Sequence, residues 1–160
     1  MNNVSLNVWV VDDDEMYLEM TLAYVRLLGH NARGFFSGER CLSDMGERPD
    51  VIILDHNLGD GMNGTDVLRE LRHEKHKPSV IYVSGDESPS TVSDAFKNGS
   101  EDFFAKDSAS LLRLKLKLDE LGTRKSARLK SARLRKRVWK TAGFLIVLSA
   151  LLAAAYYLAS

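Results

Sequence analysis

Acidic side chains stand together at the end of the apolar run in "NVWVVDDDEMY", where Asp12, Asp13 and Asp14 precede Glu15. A further carboxylate, Asp55, closes "DVIILD", while Ser84 and Gly85 close "SVIYVSG" and Lys106 closes "DFFAK". Like charges held in one place repel, and oxygen coordination of a hard divalent cation removes that repulsion. Mg2+ suits such a site because it keeps several waters and needs only one or two protein carboxylates plus a phosphate oxygen. Asp12, Asp13 and Asp55 are the candidate ligands. A lysine and a hydroxyl beside them would bind the other oxygens of a phosphoryl group. The implied chemistry is phosphoryl transfer, in which positioning and charge neutralisation supply nearly all of the catalysis and a carboxylate can be the acceptor.

These groups meet only if the intervening chain brings them together. "SLNVWVV" (5–11) reads as a strand and "EMYLEMTLAYVRLLG" (15–29) as a helix ended by Gly29. "ARGFF" (32–36) is a weak strand, and "SGERCLSDMGE" (37–47) a short helix begun by serine. Strand 50–55, helix 64–75 and strand 79–85 follow. Helix 88–99 has Ser88 as cap, Pro89 in its first turn and Gly99 at its end. Strand 102–106 and helix 108–121 complete the pattern. Five strands interleaved with five helices predict an α/β fold, a parallel sheet covered on both faces. Ligands of such sheets sit outside the carboxyl ends of the strands, which is where Asp12, Asp55, Ser84 and Lys106 fall.

The ordered motifs "VVDDDE", "PDVIILDHNLGDG", "VIYVSGDE" and "DFFAKD" resemble the receiver domain of bacterial two-component response regulators over about residues 5–121. The resemblance implies a flavodoxin-like five-stranded parallel sheet, with Asp55 as phosphoacceptor and Asp12 and Asp13 as the Mg2+ acids. It implies that Asp14 is a loop residue beyond the site and that Asn57 lends the metal its backbone carbonyl. Ser84 would turn toward the phosphoryl group, Lys106 would pair with it, and Phe103 would be the aromatic that moves on switching. The donor would be a phosphohistidine on a sensor histidine kinase or phosphotransfer protein, and the output contact with a downstream protein target rather than turnover as an enzyme. Asn57 and Asp86 flank the path of the hydrolytic water, so a short-lived phosphorylated state is expected.

The chain departs from the family pattern at two loops. Gly59 stands where a proline is usual, and the family glycine, Gly64, comes one residue late, so the loop "HNLGDGMNG" is longer and glycine-rich. Asp107 replaces the proline that usually follows the lysine. A cis bond without proline costs about 2.5–4 kcal/mol, so a trans Lys106–Asp107 peptide is expected. Two other readings compete. A phosphohydrolase of the haloacid dehalogenase type would use Asp12 of the D-x-D in "DDD" as nucleophile, although Glu15 and Met16 stand where threonine or valine is usual. A receiver-like binding module would use no phosphate at all. Burial in the core would by itself explain Phe103. His30, His56, His73 and His76 lack metal-ligand spacing and are expected at the surface; Met16, Met20, Met45 and Met62 are expected in packing or loops.

The formal charge of the 160 residues is zero, but the balance is uneven. Nine basic and no acidic residues follow Gly122, leaving 22 acidic against 13 basic before it. An acidic module is thus joined to a segment suited to an anionic surface. Cys41, the single cysteine, has no partner for an internal disulfide and reads as a structural thiol. "MNNVSLN" lacks the features of a targeting signal. The predicted organisation is a receiver domain over 1–122, a basic juxtamembrane segment over 123–140 with a doubled "KSARL", and a transmembrane helix over 141–160. The last of these is uncharged and, as a helix, spans about 30 Å. Trp139, Tyr156 and Tyr157 lie where interfacial aromatics belong. Basic flanks place the receiver on the cytoplasmic side of the bacterial inner membrane, where they also attract anionic lipid. No nucleic acid partner is expected, and the small residues of the span suit a homodimer.

Overall fold

β-Branched and aromatic runs pair because their side chains fit a pleated surface buried on both sides. In a computed structural model, which describes residues 4–159, these runs are β1 (Asn7–Val11), β2 (Asn31–Phe35), β3 (Val51–Asp55), β4 (Ser79–Ser84) and β5 (Asp102–Ala105). All neighbours are parallel in the order β2-β1-β3-β4-β5, with Leu54 level with Tyr82 and Tyr82 level with Phe103. The predicted α/β architecture is therefore present.

The helices are α1 (Glu15–Leu27), α2 (Gly38–Ser43), α3 (Gly64–Leu71), α4 (Pro89–Lys97) and α5 (Ser110–Ala159), with a short 3-10 turn at Met45–Glu47. Alternation along the strands divides the core in two. Trp9, Val11, Ile52, Leu54, Val80 and Tyr82 pack with Cys41, Met45, Val67, Leu68, Leu71 and Ala95. On the other face Ile53, Val83 and Phe104 meet Tyr17 and Thr21 of α1 and Leu111 and Leu114 of α5. Cys41 is fully buried, and burial pushes its thiol up to about 12, as a structural cysteine requires.

Several sequence expectations need correction. The helix expected over 37–47 breaks at Asp44 into the 3-10 turn, and Arg48 then takes a left-handed conformation at φ 56°. The helix expected to reach residue 75 stops at Leu71, because "RHEKHK" offers no apolar side chain to bury. The helix expected to end at residue 121 continues to Ala159; Gly122 alone does not stop it, and the Lys, Arg, Ala and Leu that follow are good helix formers with no proline among them. His30 is buried, where the turn after α1 sets its Nδ1 to accept from the Leu6 amide at 3.5 Å. Met16 is 79% exposed and Met20 is also exposed, so neither is a packing residue, whereas Met45 is buried.

Ser5–Glu120 forms one compact unit, and the residues from Leu121 onward fall in a second. Among the described residues no helix is long and apolar enough to cross a membrane. The span expected over 141–160, with Tyr156 and Tyr157, lies outside the described side chains.

Candidate metal and phosphoacceptor site

Parallel strands end on one side of the sheet, and β1 and β3 are neighbours, so Asp12 and Asp55 meet. One oxygen from each of Asp12, Asp13 and Asp55 lies within 4.8 Å of the others. Asp12 and Asp55 are only 2% and 4% exposed, whereas Asp13 faces solvent. β5 delivers the counter-charge: Lys106 Nζ stands 2.7 Å from Asp12 Oδ2 and 3.2 Å from Asp55 Oδ1. The Lys106 amide, donating to the Ser84 carbonyl at 2.8 Å, ties the base of this lysine to the end of β4.

Burial, and next the charge of Asp12, push the Asp55 carboxyl up to about 6 against the opposing pull of Lys106. Burial likewise raises Asp12. For Lys106 burial works against the ammonium, but bonding to Asp12 and the charges of both carboxylates outweigh it and the group is raised. Three carboxylates facing one ammonium leave two negative charges, which a divalent cation would neutralise. The all-oxygen donor set suits Mg2+. These residues therefore fit the ion.

Residues 8–117 match the response regulator receiver domain. The chain belongs to that family. It is 33% identical over 107 residues to the response regulator protein TmoT of Ectopseudomonas mendocina, covering 66% of this chain and 48% of that protein. It is 32% identical over 107 residues to the DNA-binding response regulator MtrA of Mycobacterium tuberculosis, covering 66% and 46%. The chain thus spans about half the length of these relatives. Among solved structures, the signal receiver domain of a putative Luxo repressor protein from Vibrio parahaemolyticus superposes with a TM-score of 0.69 at 26% identity, covering 80% of this chain and 96% of that one. The Francisella response regulator 1452 receiver domain shares the fold with a TM-score of 0.69 at 24% identity, covering 76% and 99%.

Of the other expected site residues, Ser84 closes β4, Phe103 lies in β5 and Asn57 in the loop after β3. Ser84 is buried at the end of β4, and its Oγ accepts from the Asp86 amide at 2.9 Å. The Asp86 carboxylate in turn accepts from Thr91 Oγ1 at 2.7 Å, the Ser88 amide at 2.9 Å and Ser88 Oγ at 3.1 Å. Those bonds, that from Thr91 foremost, hold Asp86 below the usual carboxylate range. Ser88 accepts from the Thr91 amide, the cap expected for α4. Phe103 is partly buried and stacks on Tyr82 with centroids 6.3 Å apart. Asn57 is exposed in the loop after β3.

That loop shows why glycine stands where proline is usual. Gly59 has φ +69°, and a Cβ there would come within 3.0 Å of Asp13 Oδ2. The Met62 amide donates to Glu39 Oε1 at 2.9 Å and fastens the loop to α2. Among the described residues no peptide is cis, so Lys106–Asp107 is trans as expected.

Three contributions escaped the sequence reading. Asp14, the last loop residue before α1, is also its N-cap, accepting from the Met16 and Tyr17 amides at 2.9 and 3.1 Å; an aspartate just before a helical pattern was a sufficient signal. The buried Tyr82 hydroxyl lies 2.8 Å from His56 Nδ1 and 3.1 Å from Thr65 Oγ1, so His56 is half-buried rather than a surface residue. Tyr17 lies with its ring beneath Lys106, the ammonium 4.4 Å from the ring centroid. No local pattern announces the last two contacts.

Proposed function

We propose that this receiver is an Mg2+-dependent phosphoryl switch with Asp55 as acceptor. The observation that carries the reading is the buried Asp55 placed against Asp12, Asp13 and Lys106. A carboxylate oxygen of Asp55 attacks the phosphorus of a phosphohistidine on a kinase or phosphotransfer partner. A P–O bond forms, the P–N bond breaks, and the departing imidazole takes up a proton. Asp12, Asp13, Asp55 and the Asn57 carbonyl would hold the ion, which supplies charge neutralisation at the transferred oxygens. Lys106 pairs with the acyl phosphate. Ser84 turns toward the new dianion and releases the Asp86 amide, and Phe103 follows into the space it leaves. A local charge thereby alters the surface offered to a protein target.

The same reading places the receiver on the cytoplasmic face of the bacterial inner membrane, tethered through 141–160 with 123–140 against anionic lipid. Support comes from the uncharged twenty-residue stretch and the nine basic residues after Gly122. Contact of the basic segment with nucleic acid is the second reading, because MtrA is named as DNA-binding.

The deciding experiment incubates the full chain in detergent with Mg2+ and phosphoramidate and locates the acyl phosphate by mass spectrometry. We expect modification at Asp55, abolished in Asp55→Asn. Modification at Asp12 instead would mean a phosphohydrolase of the haloacid dehalogenase type, and no modification would mean a binding module that does not use phosphate.

A further inference from the structure

We propose that Tyr17 is the positioning residue for Lys106, holding its ammonium at the mouth of the acid cluster; the inference rests on the phosphoacceptor reading above. A lysine is a point charge on a stem with four rotatable bonds, so nothing in the residue itself aims it. Two directions are set by the carboxylates of Asp12 and Asp55, at 2.7 and 3.2 Å. The third is set by Tyr17, whose ring centroid lies 4.4 Å from Nζ, within the range in which an aromatic face attracts a cation.

Tyr17 is itself fixed at its base and packed at its far end. Its amide donates to Asp14 Oδ1 at 3.1 Å, which locks it in the first turn of α1. Its side chain lines a small cavity together with Ser110, a buried residue at the start of α5 whose amide donates to the Asp107 carbonyl at 3.1 Å. The side chain therefore reaches from α1 to the start of α5, just past the loop that follows Lys106. This matters when the phosphoryl group arrives. Lys106 must then exchange carboxylate oxygens for phosphoryl oxygens, and a fixed aromatic face keeps the ammonium at the site while it does so. Without the ring the stem can carry its charge toward water.

The test uses the full chain in detergent with saturating Mg2+ and phosphoramidate, which gives up its phosphoryl group to Asp55 as the P–N bond breaks and ammonia leaves with a proton. Tyr17→Leu is expected to lower the maximal phosphorylation rate about tenfold, with the half-saturating donor concentration changed less. Tyr17→Phe keeps the ring and restores most of the rate. In a Lys106→Ala background, Tyr17→Leu should have no further effect, because the residue through which it acts is gone. A tenfold loss that persists in the Lys106→Ala background, no rescue by phenylalanine, or an unchanged rate in Tyr17→Leu would each overturn the proposal. If the unaltered chain takes no phosphoryl group on Asp55, it is the phosphoacceptor reading that fails.

Discussion

Asp55 is held in an environment that suits a proton better than a charge. Its carboxyl, raised from an ordinary 3.8 to about 6 by burial and by Asp12, binds a proton more tightly in the folded than in the unfolded chain. The stability this contributes is fully present below pH 4 and is lost as pH rises through about 6. At pH 7 without a divalent cation, ionised Asp55 should therefore destabilise the fold by about 3 kcal/mol. Thermal denaturation by circular dichroism in EDTA should show Asp55→Asn melting several degrees above the unaltered chain at pH 7, with the gap closing near pH 4 and in saturating Mg2+. Equal melting temperatures at pH 7 would refute this. The acids themselves were legible in the sequence because their types and their places after apolar runs carry the chemistry. Tyr17, Tyr82 and His56 were not, since each gains its role from a partner on another element: Tyr17 from Lys106, Tyr82 from His56 and Thr65.

The first residue of α3 shows how an element is docked at the site. A Cβ on Gly64 would fall 2.2 Å from the Asp55 carbonyl oxygen and 2.8 Å from the Tyr82 hydroxyl. The nearer atom is backbone and cannot rotate away, so the start of α3 would have to lift off β3. The Gly64 amide, which donates to the His56 carbonyl at 2.9 Å, would be pulled from its partner at the same time. Gly64→Ala should thus cost about 1–3 kcal/mol or more, read as a lower urea midpoint, whereas Gly46→Ala, with open space around it, should not share this clash. The five strands were legible to within two residues at either end, β1, β3 and β4 from their β-branched runs. The helix ends were less so: α3 stops where apolar side chains run out, and α2 gives way to the turn that leads to Arg48, both decided by what packs beneath them. Gly59 was visible as a departure from the family, but its reason, the closeness of the Asp13 carboxylate, belongs to the folded loop.

At the scale of the whole chain, the division of charge is what the proposed tether rests on. Nine basic residues and no acidic ones follow Gly122, and the last twenty residues carry no charge. Under the proposed tether two forces hold the chain to a bilayer, and they respond differently to salt. Attraction of the basic segment to anionic lipid is worth about 1 kcal/mol per residue near the surface, and it fades when the Debye length falls to about 3 Å at 1 M salt. An apolar helix long enough to span the hydrocarbon does not depend on charge. The full chain, expressed in bacteria and fractionated, should stay with the membrane pellet through a 1 M NaCl wash and leave it in detergent. A chain lacking 141–160 should be released by the same wash. Release of the full chain by salt alone would reduce the tether to its basic segment, and recovery in the soluble fraction at low salt would remove it altogether.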